Sequence, residues 1–314
     1  MLRRSLLWLS RQPAIFRFIK SNRLARAFAS RFVAGETIDS AIAAAVTLRG
    51  RDITASLDVL GESVAQAADA EAACARYLTL LDRLAEANVE VNVSVKLTQM
   101  GLDLDPALCE RNMRLILERA RARGGFVRLD MESSEYTRRT LDFFEQRVQP
   151  EFGAHAGVVI QSALRRSTTD IEHLIGLGAR VRLCKGAYLE PETVAFPDKK
   201  DVDAHYGRLL EQLLLRGNYP GIATHDEKII ARAEIFARNH GIGPDRFEFQ
   251  MLFGVRRDLQ VGLRARGWRV RVYVPFGTQW YPYLMRRLAE RPANIAFILG
   301  NVIREGTSRT STPS

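Results

Sequence analysis

The sequence predicts an α/β fold, a (β/α)8 TIM-like barrel with an N-terminal helical arm, on three observations. Short β-type runs alternate with helical stretches from the middle of the first hundred residues onward, eight such runs can be counted, and polar residues gather at or just past their ends. Strand and helix repeating at this spacing call for parallel strands with crossover helices. Eight units suggest a closed barrel rather than an open sheet. The 314 residues hold one such barrel with trimmings as a single domain.

The strands are expected, in order, as follows. Ile53 to Leu60, Val89 to Leu97, Phe126 to Met131 and Val158 to Leu164 are rich in apolar and β-branched residues, which suit a pleated, buried surface. Arg180 to Tyr188 sets arginines between valine and leucine before reaching Lys185-Gly186, and Ile222 to His225 is short. Phe247 to Phe253 and Arg269 to Phe276 complete the set. Helical periodicity fills intervening segments such as Arg111 to Arg123, Tyr136 to Val148, Ala204 to Arg216 and Glu227 to His240. After the last strand and Gly277, Tyr281-Pro282-Tyr283-Leu284-Met285-Arg286-Arg287 reads as a helix whose first turns present adjacent arginines.

Three segments are expected: a basic amphipathic helical arm over 1–45, the barrel over 46–303 and a flexible tail over 304–314. Apolar residues make up 46% and charged residues 26%, the balance of an ordinary soluble globular protein. The net charge of +10 is unevenly placed, because no acidic residue precedes Glu36 while Arg3, Arg4, Arg11, Arg17, Lys20, Arg23, Arg26 and Arg31 interleave with apolar side chains. Leu6 to Leu9 is too short for a secretory signal, and Arg11 interrupts what should follow. A mitochondrial transit peptide, helices packed on the body and helices lying on an anionic membrane surface stay open for the arm. No segment is apolar enough to span a bilayer. Cys74, Cys109 and Cys184 form no Cys-x-x-Cys pair, which fits a reducing compartment and neither a disulfide framework nor a metal cluster. The five histidines lack ligand spacing, so no metal site is expected. Charge alone would motivate a nucleic-acid module, but no interleaved aromatic and basic surface supports one.

Glu62, Lys96, Asp130, Gln161, Arg182, Lys185, His225, Leu252 and Tyr273 are expected at or just beyond the C-terminal ends of the strands, the rim where barrel enzymes build their sites. Taken singly, Asp130 also reads as a cap or turn residue, and Gln161 and Lys96 as locally satisfied polar residues. Lys185 reads either as a Schiff-base lysine or as a phosphate contact. Gly186 would let backbone approach a ligand closely. No Gly-x-Gly-x-x-Gly follows a strand and no Walker-type loop occurs, which disfavours Rossmann and P-loop enzymes. Arg286 and Arg287 present forked guanidiniums suited to a carboxylate, and an aromatic side chain nearby suggests a small, partly apolar carboxylic acid.

Together these stretches resemble the proline dehydrogenase family, in its short monofunctional bacterial form. The resemblance rests on Leu60-Gly61-Glu62, Val93-Ser94-Val95-Lys96-Leu97, Val127-Arg128-Leu129-Asp130-Met131-Glu132, Val159-Ile160-Gln161, Val181 to Tyr188, Ala223-Thr224-His225-Asp226, Glu248 to Leu252, and Tyr273 to Gly277 with Arg286-Arg287. It implies oxidation of L-proline to 1-pyrroline-5-carboxylate by hydride transfer to non-covalent FAD, the first step of proline catabolism. It also implies a membrane quinone as electron acceptor, pyrroline-5-carboxylate dehydrogenase as a downstream partner, and a cytoplasmic protein with peripheral contact at the inner face of the membrane.

By the same resemblance, Arg286, Arg287 and Lys96 hold the substrate carboxylate, while Tyr273 and Leu252 pack on its ring. Asp130 holds the Lys96 side of the site. Arg182 and Gln161 bond the flavin ring, with Arg182 at its hydride-accepting nitrogen; Met131, Lys185, Gly186, Ala187, Thr224 and His225 touch FAD elsewhere. Glu62 is expected to pair with Arg287 as a gate. Cys184 departs from the family, which commonly has an apolar β-branched residue there, and is expected to point away from the flavin as a buried thiol. The alternative is a flavin-free Schiff-base lyase on the same barrel, using Lys185 or Lys96.

Overall fold

The computed structural model describes residues 30–290, with side chains described as far as Met285. Two compact units divide the chain, residues 32–278 in one and residues 1–31 with 279–314 in the other. The basic arm before residue 30, the last residues expected in the barrel and the tail over 304–314 lie outside the described residues.

Residues 32–278 hold a closed barrel of eight parallel strands in sequence order. These are β1 (Thr54–Val59), β2 (Asn92–Val95), β3 (Phe126–Leu129), β4 (Ala156–Gln161), β5 (Arg180–Cys184), β6 (Gly221–Ala223), β7 (Glu248–Leu252) and β8 (Val270–Phe276), with β8 pairing back onto β1 over six residue pairs from Thr54–Arg271 to Val59–Phe276. The expected barrel is therefore present, with every strand at its expected place.

α1 (Ile38–Arg49) precedes the barrel and packs on β1 and β8. Thr37 and Ser40 form a reciprocal capping box at its start, and Ala41, Ile42, Ala45 and Leu48 make its buried stripe. The crossovers are α2 (Ala67–Glu86), α3 (Pro106–Ala122), α4 (Ser134–Phe143), a short α5 (Gln149–Phe152), α6 (Ser167–Gly176), α7 (Lys199–Arg216), α8 (Glu227–Asn239) and α9 (Arg257–Ala265). Asp105 and Asp226 accept the N–H of Ala107 and Lys228, which caps α3 and α8. α10 (Trp280–Glu290) belongs to the other unit. Among the described residues no helix is long and apolar enough to cross a membrane.

Several boundaries differ for physical reasons. The strand expected to run to Tyr188 stops at Cys184, because Gly186 takes φ +105° and breaks the extended backbone. The helix expected over Tyr136 to Val148 is α-helical to Phe143 and then widens into a π turn over Phe144–Val148. Pro150 has no N–H to return to residue 146, and the winding relaxes there.

Strand alternation sorts side chains between two environments. Ala55, Leu57 and Val59 join the apolar core beneath the helices, whereas Ser56 and Asp58 are equally buried but belong to the barrel interior. Arg182 on β5 donates to Ser94 Oγ on β2 at 3.2 Å, a bond three strands away that runs through that interior. Its lower layer is an ion-pair network. Arg271 donates to Glu248 at 2.7 and 3.1 Å and to Glu90 at 2.8 Å, and Gln250 donates to Glu248 at 2.6 Å. Burial would push the Glu248 carboxyl up, but Arg271 holds it below the usual range.

Candidate active site

The C-terminal end of the barrel brings together most of the residues that the sequence singled out. Lys96 and Asp130 each stand one residue past β2 and β3, Gln161 and Leu252 end β4 and β7, and Lys185 follows β5. Arg182 and Tyr273 differ from expectation, lying mid-strand in β5 and β8 rather than at strand ends. The stagger of the barrel accounts for this, since Tyr273 pairs with Leu252, the last residue of β7, and so sits level with that strand's end.

Asp130 is the hub. One carboxylate oxygen accepts from Arg182 Nη1 at 2.6 Å and the other from the Tyr273 hydroxyl at 2.9 Å. The Arg182 guanidinium lies 5.3 Å from the centroid of the Tyr273 ring and also donates to Gln250 Oε1. Burial, then the carboxylates of Asp130 and Asp58, hold the Tyr273 phenol well above its ordinary range, so it stays a donor.

Lys96 is bonded by Asp58, whose carboxylate oxygens lie 3.4 Å from Nζ, while Asp130 acts on it through its charge. Burial opposes its charge, yet Asp58, Asp130 and Glu62 outweigh that and raise its pKa, so the side chain is an ammonium. Asp58 is fully buried and also receives the Tyr77 hydroxyl at 3.4 Å. It was not singled out from the sequence, where the available signal was an acidic residue inside the apolar run Leu57-Asp58-Val59. Lys185 Nζ is engaged by Asp203 at 2.6 Å and by Asp226 at 2.9 Å. An ammonium at Lys96 and a doubly engaged amine at Lys185 are ion-pair arrangements, not those of a Schiff-base nucleophile.

A second group lines a cradle across the mouth. Gln161 donates to the Glu132 carbonyl at 2.8 Å, while its own Oε1 is buried with no partner. A buried acceptor left open costs free energy unless a donor is supplied to it. Beside it, a Cβ on Gly186 would approach Gln161 Oε1 and Ala163 Cβ to 3.3 Å and would be strained at φ +105°. Met131 is buried, and Ala187 is half-buried just past Gly186. Thr224 Oγ1 accepts the Asp226 N–H at 3.1 Å. His225 Nε2 accepts the Leu252 N–H at 2.9 Å, which puts the ring proton on Nδ1 and ties the end of β7 to the segment that follows β6. Cys184 is half-buried rather than buried.

Glu62 is exposed after β1, next to Gly61, where an added Cβ would make Gln99 Nε2 shift. Arg286 and Arg287 lie on α10, and their side chains fall outside the described ones, as does any pairing with Glu62. Among the described residues no group of three or more His, Cys, Asp or Glu side chains is placed to hold a metal ion.

A parallel eight-stranded barrel with a partly buried carboxylate hub, a tyrosine and a glycine turn at the C-terminal ends of its strands has the architecture of a barrel enzyme. Residues 41–299 match the family described as proline dehydrogenase, and the chain belongs to that family. It is 46% identical over 284 residues to a proline dehydrogenase of Deinococcus radiodurans, covering 88% of this chain and 90% of that one. It is 41% identical over 305 residues to proline dehydrogenase 1 of Bacillus subtilis, covering 97% and 100%. Among solved structures, proline utilization A of Bdellovibrio bacteriovorus inactivated by N-propargylglycine superposes with a TM-score of 0.80 at 25% identity, over 99% of this chain and 41% of that protein.

Proposed function

We propose that the chain oxidises L-proline to 1-pyrroline-5-carboxylate with non-covalent FAD and passes the electrons to a membrane quinone. Family membership supports an oxidoreductase of proline catabolism. The observation that carries the finer reading is the Arg182–Asp130–Tyr273 clasp beside the Lys96 ammonium, facing a cradle with an orphaned acceptor. Gln161 Oε1 would take a ring N–H of the flavin, and Gly186 leaves room for a flat group against the backbone. Met131, Lys185, Ala187, Thr224 and His225 complete the cofactor contacts in this reading. FAD, when bound, supplies the two-electron acceptor.

The chain's own residues do the rest. Arg286, Arg287 and Lys96 hold the substrate carboxylate, and Tyr273 with Leu252 walls the ring, Tyr273 fixed by Asp130 and Leu252 by His225. Cations around the pocket, Lys96 and Arg182 among them, disfavour a charged substrate amine, so its nitrogen keeps the lone pair that drives out the hydride. Loss of that hydride and one N–H proton leaves the C=N bond of the product. Glu62 closing on Arg287 would exclude water during this step. A cytoplasmic enzyme touching the inner membrane face, with pyrroline-5-carboxylate dehydrogenase consuming the product, follows from the same reading.

Purified protein should be yellow, release its flavin on denaturation and bleach on addition of L-proline. A colourless protein that FAD cannot reconstitute would overturn the reading. Arg286→Lys and Arg287→Lys should each lower kcat/KM for proline roughly tenfold or more, since lysine keeps the charge but loses the fork. Unchanged kinetics in both variants would remove the arginines from the site.

A further inference from the structure

Between β5 and α7 the chain runs through residues 185–198 with no helix and only a single bridge, Ala195 to Leu164. A stretch of that length without structure of its own usually serves a site in a compact domain. Both of its ends are pinned to the turn after β4. Ala163 N–H donates to the Lys185 carbonyl at 2.9 Å, Phe196 N–H to the Ala163 carbonyl at 2.9 Å, and Arg165 N–H to the Val194 carbonyl at 3.0 Å. The Arg165 side chain adds a bond to the Glu192 carbonyl at 3.3 Å and lies 4.7 Å from the centroid of the Phe196 ring. What is left between these pins, Gly186 to Pro191, starts beside Gln161, the residue with the orphaned acceptor.

Its tip is tied elsewhere. Glu190 Oε1 accepts the Ser134 backbone N–H at 2.8 Å and Oε2 accepts the Ser134 hydroxyl, so both carboxylate oxygens serve one residue. Ser134 opens α4, where Ser133, the N-cap, makes no side-chain capping bond. A glutamate 56 positions further along the chain thus supplies the acceptor that a helix start usually finds locally. The helix dipole also favours a negative group at that end. The turn before α4 is itself joined to β4, through the Glu132 carbonyl and Gln161 Nε2. The segment therefore leaves β5, passes the end of β4 where Gln161 and Gly186 meet, and fastens on the helix that follows β3.

We propose that Glu190 is a positioning residue that latches residues 186–191 across the cofactor cradle by capping α4, so that flavin is retained while the latch is closed and leaves when it opens. The proposal rests on the reading of the cradle as the flavin site. With residue 185 and residues 192–196 fixed to one turn, the stretch between them is a loop hinged at neighbouring points and able to swing about them. Glu190 adds a further point on a different helix, which restricts that swing. Holding the segment in place before the cofactor arrives lowers the ordering cost of binding.

The rate of FAD release is measured on the flavin-loaded protein after dilution, from the rise in free-flavin fluorescence. Glu190→Ala should release FAD roughly tenfold faster than wild type, and Ser134→Ala, which keeps the backbone N–H, about threefold faster. Ser134→Thr keeps the hydroxyl and should release at the wild-type rate. The double variant Glu190→Ala, Ser134→Ala should match Glu190→Ala alone, because both changes open the same latch. A role in capping alone is separated by joining Glu190→Ala to Ser133→Asp, which gives α4 a local cap but no link to the segment. Release should stay fast in that variant even where its melting temperature returns to the wild-type value. Wild-type release in Glu190→Ala, multiplied effects in the double variant, or slow release restored by Ser133→Asp overturns the latch. Each of these leaves the proposed function standing, provided that wild type carries flavin and bleaches with L-proline. A wild-type protein that neither holds FAD nor takes it up overturns the latch and the functional reading together.

Discussion

Replacing Arg271 by leucine should lower the melting temperature of the protein by about 10 °C. Arg271 is only 5% exposed and meets Glu248 through two hydrogen bonds, Glu90 through a third and the Ala55 carbonyl through a fourth. Its loss leaves the Glu248 carboxylate, 3% exposed, without that cation. Breaking a buried pair from one side costs about 3–5 kcal/mol, and each kcal/mol moves the midpoint of a domain near this size by roughly 2–4 °C.

The loss should depend on pH, with a definite sign. In the wild type the folded-state pKa of Glu248 is depressed below its ordinary value of 4.5. Its contribution is present above that value and fades as pH falls through the lower, folded one. In Arg271→Leu burial prevails and the carboxyl titrates higher, so the variant's deficit should shrink as the solution is acidified from about pH 8 to 5. Arg271→Leu combined with Glu248→Leu should recover much of the stability, because two apolar groups replace a pair rather than orphan one partner. Calorimetry that shows the single variant within about 1 kcal/mol of wild type would mean that water or Arg128 reaches Glu248.

The same network shows what a sequence can and cannot reveal. Alternation in Val270-Arg271-Val272-Tyr273-Val274 already tells that Arg271 and Tyr273 share one face of a strand. Parity says nothing about which strand stands opposite. That Arg182 meets Ser94, or that Lys96 finds Asp58, depends on closure and stagger of the barrel, which set distances between residues 38 to 88 positions apart. The rim residues were legible because a polar side chain at the end of an apolar run stands out. Asp58, Gln250 and Glu132 were not, since each acquires meaning only from a partner on another strand. Strand positions were read well and their ends less so, because an end is set by local events such as the positive φ of Gly186.

Asp130→Ala should lower kcat/KM for proline about a hundredfold while the protein keeps its fold. Asp130 touches two candidate groups at once, anchoring the Arg182 guanidinium at 2.6 Å and the Tyr273 hydroxyl at 2.9 Å, and its charge helps to keep Lys96 an ammonium. Without it the guanidinium is free to turn toward other acceptors, and the phenol loses the bond that orients the ring wall. Charge-assisted hydrogen bonds of this kind contribute about 1.5–3 kcal/mol each, and misplacing groups held for a hydride step is costly even over about 1 Å. A loss near 3 kcal/mol corresponds to about a hundredfold in rate. Asp130→Asn keeps one good acceptor and should fall less, roughly tenfold. Tyr273→Phe removes only the hydroxyl, and its effect should largely vanish in the Asp130→Ala background, giving a coupling of about 1–2 kcal/mol in the double-mutant cycle. Strict additivity of the two changes would show that the hydroxyl and the carboxylate act separately, and the hub would then be two unrelated contacts rather than one clasp.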